Sequence, residues 1–243
     1  MAHNKPNLAQ VPSGPEFRRL FTATPGQVMV GADLSGIELR MLAHYLARYD
    51  GGRYADILLN GDIHQVNADK IGITRKLVKN VTYAFLYGAG DVKIGLTYDK
   101  QLPTAKAKKK GAEIRAAYVA AIPGLDDLLT AIKVAGDRGF VKAIDGRKVL
   151  LDSPHKALNF LLQGSAGVIA KRWLVIANHH THDICCSQLA FIHDELQYEC
   201  HGLHADRLAA SLVHSAREAG EYYKLRCPID AESKIGDNWA EVH

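Results

Sequence analysis

The sequence predicts a protein of the α+β class, with strands near both ends of the chain and helices between them. Three observations lead there. Gln27–Ala32 (QVMVGA) is a short apolar run, followed at once by residues with helical apolar spacing. Leu189–Glu199 (LAFIHDELQYE) is apolar up to His193-Asp194 and alternates beyond it, as in a hairpin with an acidic tip. Between these stretches Arg75, Lys79, Tyr83 and Tyr87 recur every four residues, a spacing that only a helix turns into one stripe.

Taken in order, residues 1–20 carry Pro6, Pro12 and Pro15, dense enough to predict an irregular, extended lead-in rather than a helix. Gln27–Ala32 reads as a buried strand with Asp33 at its end. Ile37, Met41, Leu42, Tyr45 and Leu46 then predict a helix over 37–49. Ser35-Gly36-Ile37-Glu38 fits a capping box, which accounts for Ser35 and is one account of Glu38. It leaves Asp33 unexplained, because a carboxylate at a strand end just before a helix is well placed to hold a cation. Gly51-Gly52 and Asn60-Gly61 read as turns. Asp62 reads as the cap of a helix that follows, and residue type alone makes His64 a surface histidine.

The striped helix over 75–88 spans about 18 Å, with cations at one end and phenols at the other. Its N-terminal end suits a polyphosphate, aided by the helix dipole, and a flat ring suits the far end. Solvated cations and core tyrosines are the other reading. Gly88 and Gly90 favour the first, since they stop the helix and let another group approach the backbone closely. Lys100–Lys110 (KQLPTAKAKKK) predicts a solvated helix face, or a contact with nucleic-acid phosphates, and Pro123-Gly124 separates it from the next helix. Gly139–Leu151 has the alternation and the Asp145-Gly146 turn of a hairpin. Ser153-Pro154 opens a helix running to about Asn178, with His155, Asn159 and Gln163 four apart on one face. Solvent exposure explains such a stripe, and so does contact with the minor-groove acceptors that every base pair shares. At the second hairpin Asp194 and Glu195 point opposite ways on a regular strand, so one of them reaches a shared site unless the turn bends both inward. A helix over 205–219 and a strand over 225–233 complete the chain.

With 243 residues, 47% hydrophobic and 23% charged, the chain can bury a proper core in one or two domains. A net charge of +4 permits a polyanionic partner without demanding one. Cys185, Cys186, Cys200 and Cys227 form no C-x2-C pair and no signal peptide is recognisable, so a reducing interior is expected. His179, His180 and His182 read as a polar helix end rather than a metal tract, since no second ligand cluster joins them. No apolar run reaches the ~18 residues of a membrane span, and no membrane partner is expected. The absence of a G-x4-G-K-[ST] loop removes the commonest phosphate-binding loop.

Arg75-x3-Lys79-x3-Tyr83-x3-Tyr87-Gly88 resembles the fingers helix of family A DNA polymerases, the DNA polymerase I-like enzymes. Tyr83 and the Leu86-Tyr87-Gly88-Ala89-Gly90 ending are most similar to the short-tailed-phage branch. Asp33-Leu34-Ser35-Gly36-Ile37-Glu38-Leu39-Arg40 resembles the family's first catalytic motif, His193-Asp194-Glu195 resembles its other one, and Ile235–Trp239 resembles the end of phage relatives. The motifs occur in the family's order and cover nearly the whole chain.

The resemblance implies a palm, an antiparallel sheet backed by helices, in residues 1–60 and 140–243, split by helical fingers in 61–139. It implies two-metal phosphoryl transfer, with Asp33, the Leu34 carbonyl and Asp194 holding two Mg²⁺ ions, for which Mn²⁺ is a substitute. Glu195 becomes an auxiliary carboxylate near the primer terminus, and Glu38 a steric gate against a 2′-hydroxyl. Arg75, Lys79 and His64 neutralise the triphosphate, and Lys79 protonates departing pyrophosphate. Tyr83 stacks near sugar and base, while Tyr87-Gly88 lines the templating position. His155, Asn159, Gln163 and His193 contact DNA near the primer end. At 155 other branches often have Arg, which makes His155 the less secure of the three on the helix, His155, Asn159 and Gln163.

The expected partners are primer-template DNA and deoxynucleoside triphosphates, in the cytoplasm of the cell, a host cell if the protein is viral. The Pro-Asn-Leu segment resembles the one that enters the palm after the thumb, so thumb and exonuclease are expected to be absent. A separate chain supplying them is then a further partner. Three functions compete: a DNA polymerase core (truncated or one subunit of a split enzyme), an inactive primer-template and nucleotide-binding remnant, and another nucleotidyl or phosphoryl transferase.

Overall fold

The computed structural model describes residues 7–243; residues 1–6 of the expected extended lead-in lie outside that range. The rest of the lead-in is not simply extended. A 3-10 turn over Leu8–Gln10 is capped by Asn7, whose Oδ1 accepts from Ala9 N at 3.2 Å, and a short helix α1 covers Pro15–Arg18. Pro15 allows this because it sits at the first helical position, where its missing N–H has no partner to lose.

Strand β1 runs Val28–Leu34 and takes in Asp33, which the sequence placed just beyond the strand. Gly36, at φ 56°, turns the chain into α2 (Ile37–Asp50). The glycine turns at 51–52 and 61 bound a helix the sequence did not announce, α3 (Arg53–Asn60), and Asp50 accepts from the N–H of Gly52 just before it and of Tyr54 in its first turn. There follow α4 (Ile63–Ile71), α5 (Arg75–Leu86), α6 (Asp91–Tyr98), α7 (Thr104–Ala121) and α8 (Leu125–Gly136). The hairpin β2 (Phe140–Lys142) and β3 (Lys148–Leu150) pairs Phe140 with Leu150 around Gly146, as the alternation predicts. A 3-10 turn over Pro154–Lys156 leads into α9 (Ala157–His180), then β4 (Cys186–Ile192), β5 (Glu195–Cys200), α10 (Ala205–Tyr222), β6 (Ala231–Gly236) and α11 (Trp239–Val242). The last strand lies later than the expected 225–233. Pro228 has no N–H for a ladder, and pairing with β1, from Ala231 opposite Leu34 to Gly236 opposite Met29, sets the strand's extent.

The chain forms two compact units. One comprises the described residues up to Ile37 with Ala166–His243; the other is Glu38–Ser165. In the first, an antiparallel sheet has the order β4-β5-β1-β6. Alternation divides β1: Met29, Gly31 and Asp33 face one way, Val30, Ala32 and Leu34 the other. The first face meets α11, where Met29, Ile192, Trp239 and Val242 form an apolar cluster. Gly31 is required there, because a Cβ would stand 2.4 Å from the Val242 carbonyl oxygen. α10 packs on β1 and β6 with Leu208, Leu212 and Ala216 fully buried. Residues 154–180 contain an 18-residue window of mean hydropathy 1.3, long and apolar enough to cross a bilayer by composition, although no unbroken apolar run predicted it. In the C-terminal half of α9, Trp173 and Ala177 are fully buried and Trp173 Nε1 donates to the Leu212 carbonyl at 2.8 Å, which is core packing.

In the second unit α6 and α7 cross at glycines. A Cβ on Gly95 would stand 1.9 Å from the Ala107 carbonyl oxygen, and one on Gly111 would stand 1.8 Å from that of Asp91. Phe85 of α5 packs on Tyr118 of α7 with ring centroids 5.1 Å apart, and burial pushes the Tyr118 phenol up to about 12. Ser165 Oγ bonds Tyr45 Oη at 2.7 Å and accepts from Ile144 N at 3.2 Å, joining α2, the small hairpin and α9.

Candidate active site

β1 and β5 are in register with Asp33 opposite Glu195, and only His193 and Asp194 connect β4 to β5. Leu34 N donates to the Asp194 carbonyl at 3.0 Å. The two aspartates therefore sit at one end of adjacent strands, one residue out of register. Asp33 is exposed and Asp194 half-buried. Leu34 has an apolar side chain, so that residue has only its backbone carbonyl to offer a cation. Two carboxylates and a carbonyl are hard oxygen donors, a set that fits Mg²⁺ and leaves its remaining positions to water and phosphate oxygens. His193 caps the turn at φ 57°, a left-handed backbone uncommon for a residue with a Cβ, and its side chain is exposed.

Glu195 lies on the Asp33 face but its carboxylate is occupied. It is 5% exposed; Oε1 accepts from Trp239 Nε1 at 2.6 Å and from Gln197 Nε2 at 2.5 Å, and Oε2 accepts from His243 Nδ1 at 3.0 Å. Sequence reasoning missed this network. Gln197, two residues along the same strand face, was its one local signal.

In the second unit, Asp62 does two jobs. Oδ1 accepts from His64 N and Gln65 N at 3.1 and 3.0 Å, capping α4, and Oδ2 accepts from Arg75 Nε at 2.6 Å. The Arg75 guanidinium holds the Asp62 carboxyl below the usual carboxylate range. His64 is 8% exposed, not the surface histidine its type suggested, and its Nδ1 has no hydrogen-bond partner. Burial pushes the His64 imidazole down; Asp62 opposes this, while Arg75 and Lys79 add to it. The His64 ring lies 6.3 Å from that of Tyr83. His64, Arg75, Lys79 and Tyr83 thus converge. The stripe is the open face of α5, with Arg75 and Lys79 exposed and Tyr83 half-buried, while Val78, Val81, Thr82, Phe85 and Leu86 fill the core side.

α5 ends in a glycine C-cap: Gly88, φ 72°, donates to Phe85 O at 3.0 Å and Ala89 N donates to Ala84 O at 2.8 Å. Tyr87, 49% exposed, donates its phenol to Glu38 Oε1 at 2.7 Å. This contact joins residues 49 apart. Asn159 Nδ2 donates to the Leu86 carbonyl at 3.2 Å, so this amide is tied to the end of α5. Ser153 Oγ bonds His155 Nδ1 at 2.6 Å instead of capping the helix, and Gln163 is exposed. Gly88, Gly90, Arg115 and His155 help line a cleft of about 380 Å³. On the basic run, Lys106, Lys108 and Lys109 are exposed, and Lys110 lies 4.8 Å over the Tyr98 ring.

The sequence model of DNA polymerase family A matches residues 1–241. The chain is 37% identical to the DNA-directed DNA polymerase of Enterobacteria phage T3 and 36% identical to that of Escherichia phage T7, over 99% of its own length in both cases. It spans 39% of the length of each of these two. Among solved structures, the POL domain of Pol1 from M. smegmatis in complex with DNA primer-template and dNTP aligns with a TM-score of 0.81. That alignment covers 98% of this chain and 45% of that one at 24% identity, which establishes a shared fold. The fold is α+β, and by the family model and the two phage relatives this chain belongs to DNA polymerase family A.

Proposed function

We propose that the chain is the palm-and-fingers core of a template-directed DNA polymerase, adding deoxynucleotides to a primer 3′-hydroxyl by two-metal phosphoryl transfer. The observation that carries the reading is the pair Asp33 and Asp194, brought by β1 and the β4–β5 turn to one sheet end and linked through Leu34 N and the Asp194 carbonyl at 3.0 Å. In this reading palm is 1–60 with 140–243 and fingers is 61–139. Primer-template DNA and a deoxynucleoside triphosphate are its partners, and a separate chain is a further one if thumb or exonuclease comes from elsewhere.

Asp33, Asp194 and the Leu34 carbonyl would hold two Mg²⁺ ions. Bound there, the ions supply a lowered pKa at the primer 3′-hydroxyl and charge neutralisation at the triphosphate. Arg75 and Lys79 bind phosphate oxygens from the open face of α5. Lys79 is the proton donor to departing pyrophosphate, being an exposed ammonium in that cluster. His64, held neutral by burial, donates or accepts a hydrogen bond there without adding charge. Tyr83 supplies a ring beside the sugar and base, and Tyr87-Gly88 the floor of the templating position. Glu38, held by Tyr87, closes the space a 2′-hydroxyl would fill. Glu195, with both oxygens occupied, positions the Asp194 turn. Asn159, Gln163, His155 and His193 are the DNA contacts.

Primer extension with Mg²⁺ tests the reading. The chain incorporates nucleotide, and Asp194→Ala lowers the rate by about 10³-fold or more, the worth of several kcal/mol of charge stabilisation. Unchanged extension in Asp194→Ala would overturn it. No incorporation even at high enzyme and low salt would restrict it to a subunit that needs another chain.

A further inference from the structure

His180 ends α9, and His214 and Glu218 lie four apart on α10, so these two share a face of that helix. The two helices are fixed to each other nearby through Trp173 Nε1 and the Leu212 carbonyl at 2.8 Å. One ligand atom from each of the three side chains lies within 4.8 Å of the other two. His180 Nε2 is 2.6 Å from Glu218 Oε2, and the His180 and His214 rings meet at 5.2 Å between centroids. An ion pair needs only His180 and Glu218; His214 brings a third donor to the same point.

We propose that His180, His214 and Glu218 form a site for a divalent transition-metal ion, Zn²⁺ by preference, which clamps the end of α9 to α10. Two imidazole nitrogens and one carboxylate oxygen are a donor set Zn²⁺ takes, with water as the fourth ligand, whereas Mg²⁺ seeks oxygen. Bonds of about 2.0–2.1 Å in a tetrahedron put ligand atoms roughly 3.3 Å apart. The observed separations, 2.6 Å for one pair and all within 4.8 Å, bracket that value, so side-chain rotation alone completes the site. The His180 and Glu218 side chains are 33% and 45% exposed and His214 is exposed, which gives the ion and its water a way in. The site differs in place and in donor chemistry from the aspartate pair of the sheet end. The isolated tract of His179, His180 and His182 is not the site; one of its members joins two residues from another helix.

The test is titration of the 243-residue chain with Co²⁺, followed by visible absorption. A four- or five-coordinate nitrogen-bearing site gives bands far stronger than octahedral Co²⁺ on carboxylates. One equivalent is expected to bind, to be displaced by Zn²⁺ and to resist excess Mg²⁺. Zn²⁺ at about 100 times its Kd raises Tm by about 5 °C. His214→Ala and Glu218→Gln, both at the surface, weaken Co²⁺ binding at least about tenfold and cut the Tm shift at the same Zn²⁺ concentration to about half or less, with circular dichroism unchanged. The double variant His179→Ala/His182→Ala keeps both. Absence of the bands, equal affinity in His214→Ala and Glu218→Gln, or loss of binding in the His179/His182 variant would overturn the proposal.

Discussion

Glu38 and Tyr87 show how one side chain acquires a partner that its local sequence does not reveal. The 2.7 Å bond from the Tyr87 phenol fixes the Glu38 carboxylate. Glu38→Ala is expected to admit ribonucleotides more readily; unchanged sugar discrimination in that variant would remove Glu38 from the gate. Tyr87→Phe, which frees the carboxylate without removing it, should relax the ratio of kcat/KM for deoxy- over ribonucleotide by up to about tenfold, the worth of one hydrogen bond. His64 carries a pH prediction. Its folded pKa lies below its ordinary value, so the unfolded chain takes up its proton first as pH falls. Stability is then fully present above the unfolded pKa, near 6.5, and is lost as pH falls from there toward the folded value. Denaturant unfolding compared between about pH 7 and 5.5 should show a smaller loss for His64→Gln than for wild type. The residue types and spacing of Arg75, Lys79, Tyr83, Asp33 and Asp194 were legible because they repeat at a helical period or end an apolar strand. The burial of His64 and the engagement of Glu195 were not, because their partners come from other elements.

Among the elements, the α6–α7 crossing depends on two missing side chains. Gly111→Ala would drive a Cβ to 1.8 Å from a carbonyl that cannot swing aside, so the helices must part. A loss of about 1–3 kcal/mol or more is expected from the denaturant midpoint. Gly90→Ala is the contrast: nothing lies within 4 Å of its Cβ and its φ of −70° suits any residue. Stability should stay within about 0.5 kcal/mol, while nucleotide or template affinity falls if a ligand approaches that backbone. Helices with periodic apolar faces, such as α5 with its glycine stop and α10, were legible to within a few residues. α3 and the helical turns before β1 were not, since short helices draw their stability from packing rather than propensity. β6 moved along the chain because a strand's extent follows its partner's ladder.

For the whole molecule, a net charge of +4 is modest for the proposed hold on a polyanion, and the exposed lysines of α7 are spread along a solvated face. Affinity of this chain alone for primer-template should be weak and fall with salt, with a slope of about −0.9 per phosphate neutralised. Two such contacts cost about tenfold between roughly 50 and 200 mM salt. Synthesis should be distributive, and long products from a single binding event would contradict this. By itself, the sequence determined the α+β class, the order of the motifs, the striped helix and its glycine stop, and the candidate aspartates. Each of these rests on local periodicity or residue chemistry. Only the tertiary structure decided that Asp33 faces Glu195 across a ladder, that Tyr87 holds Glu38, and that a histidine ending one helix meets a histidine and a glutamate on another. Such meetings depend on strand register and helix packing, which a one-dimensional pattern constrains but does not specify.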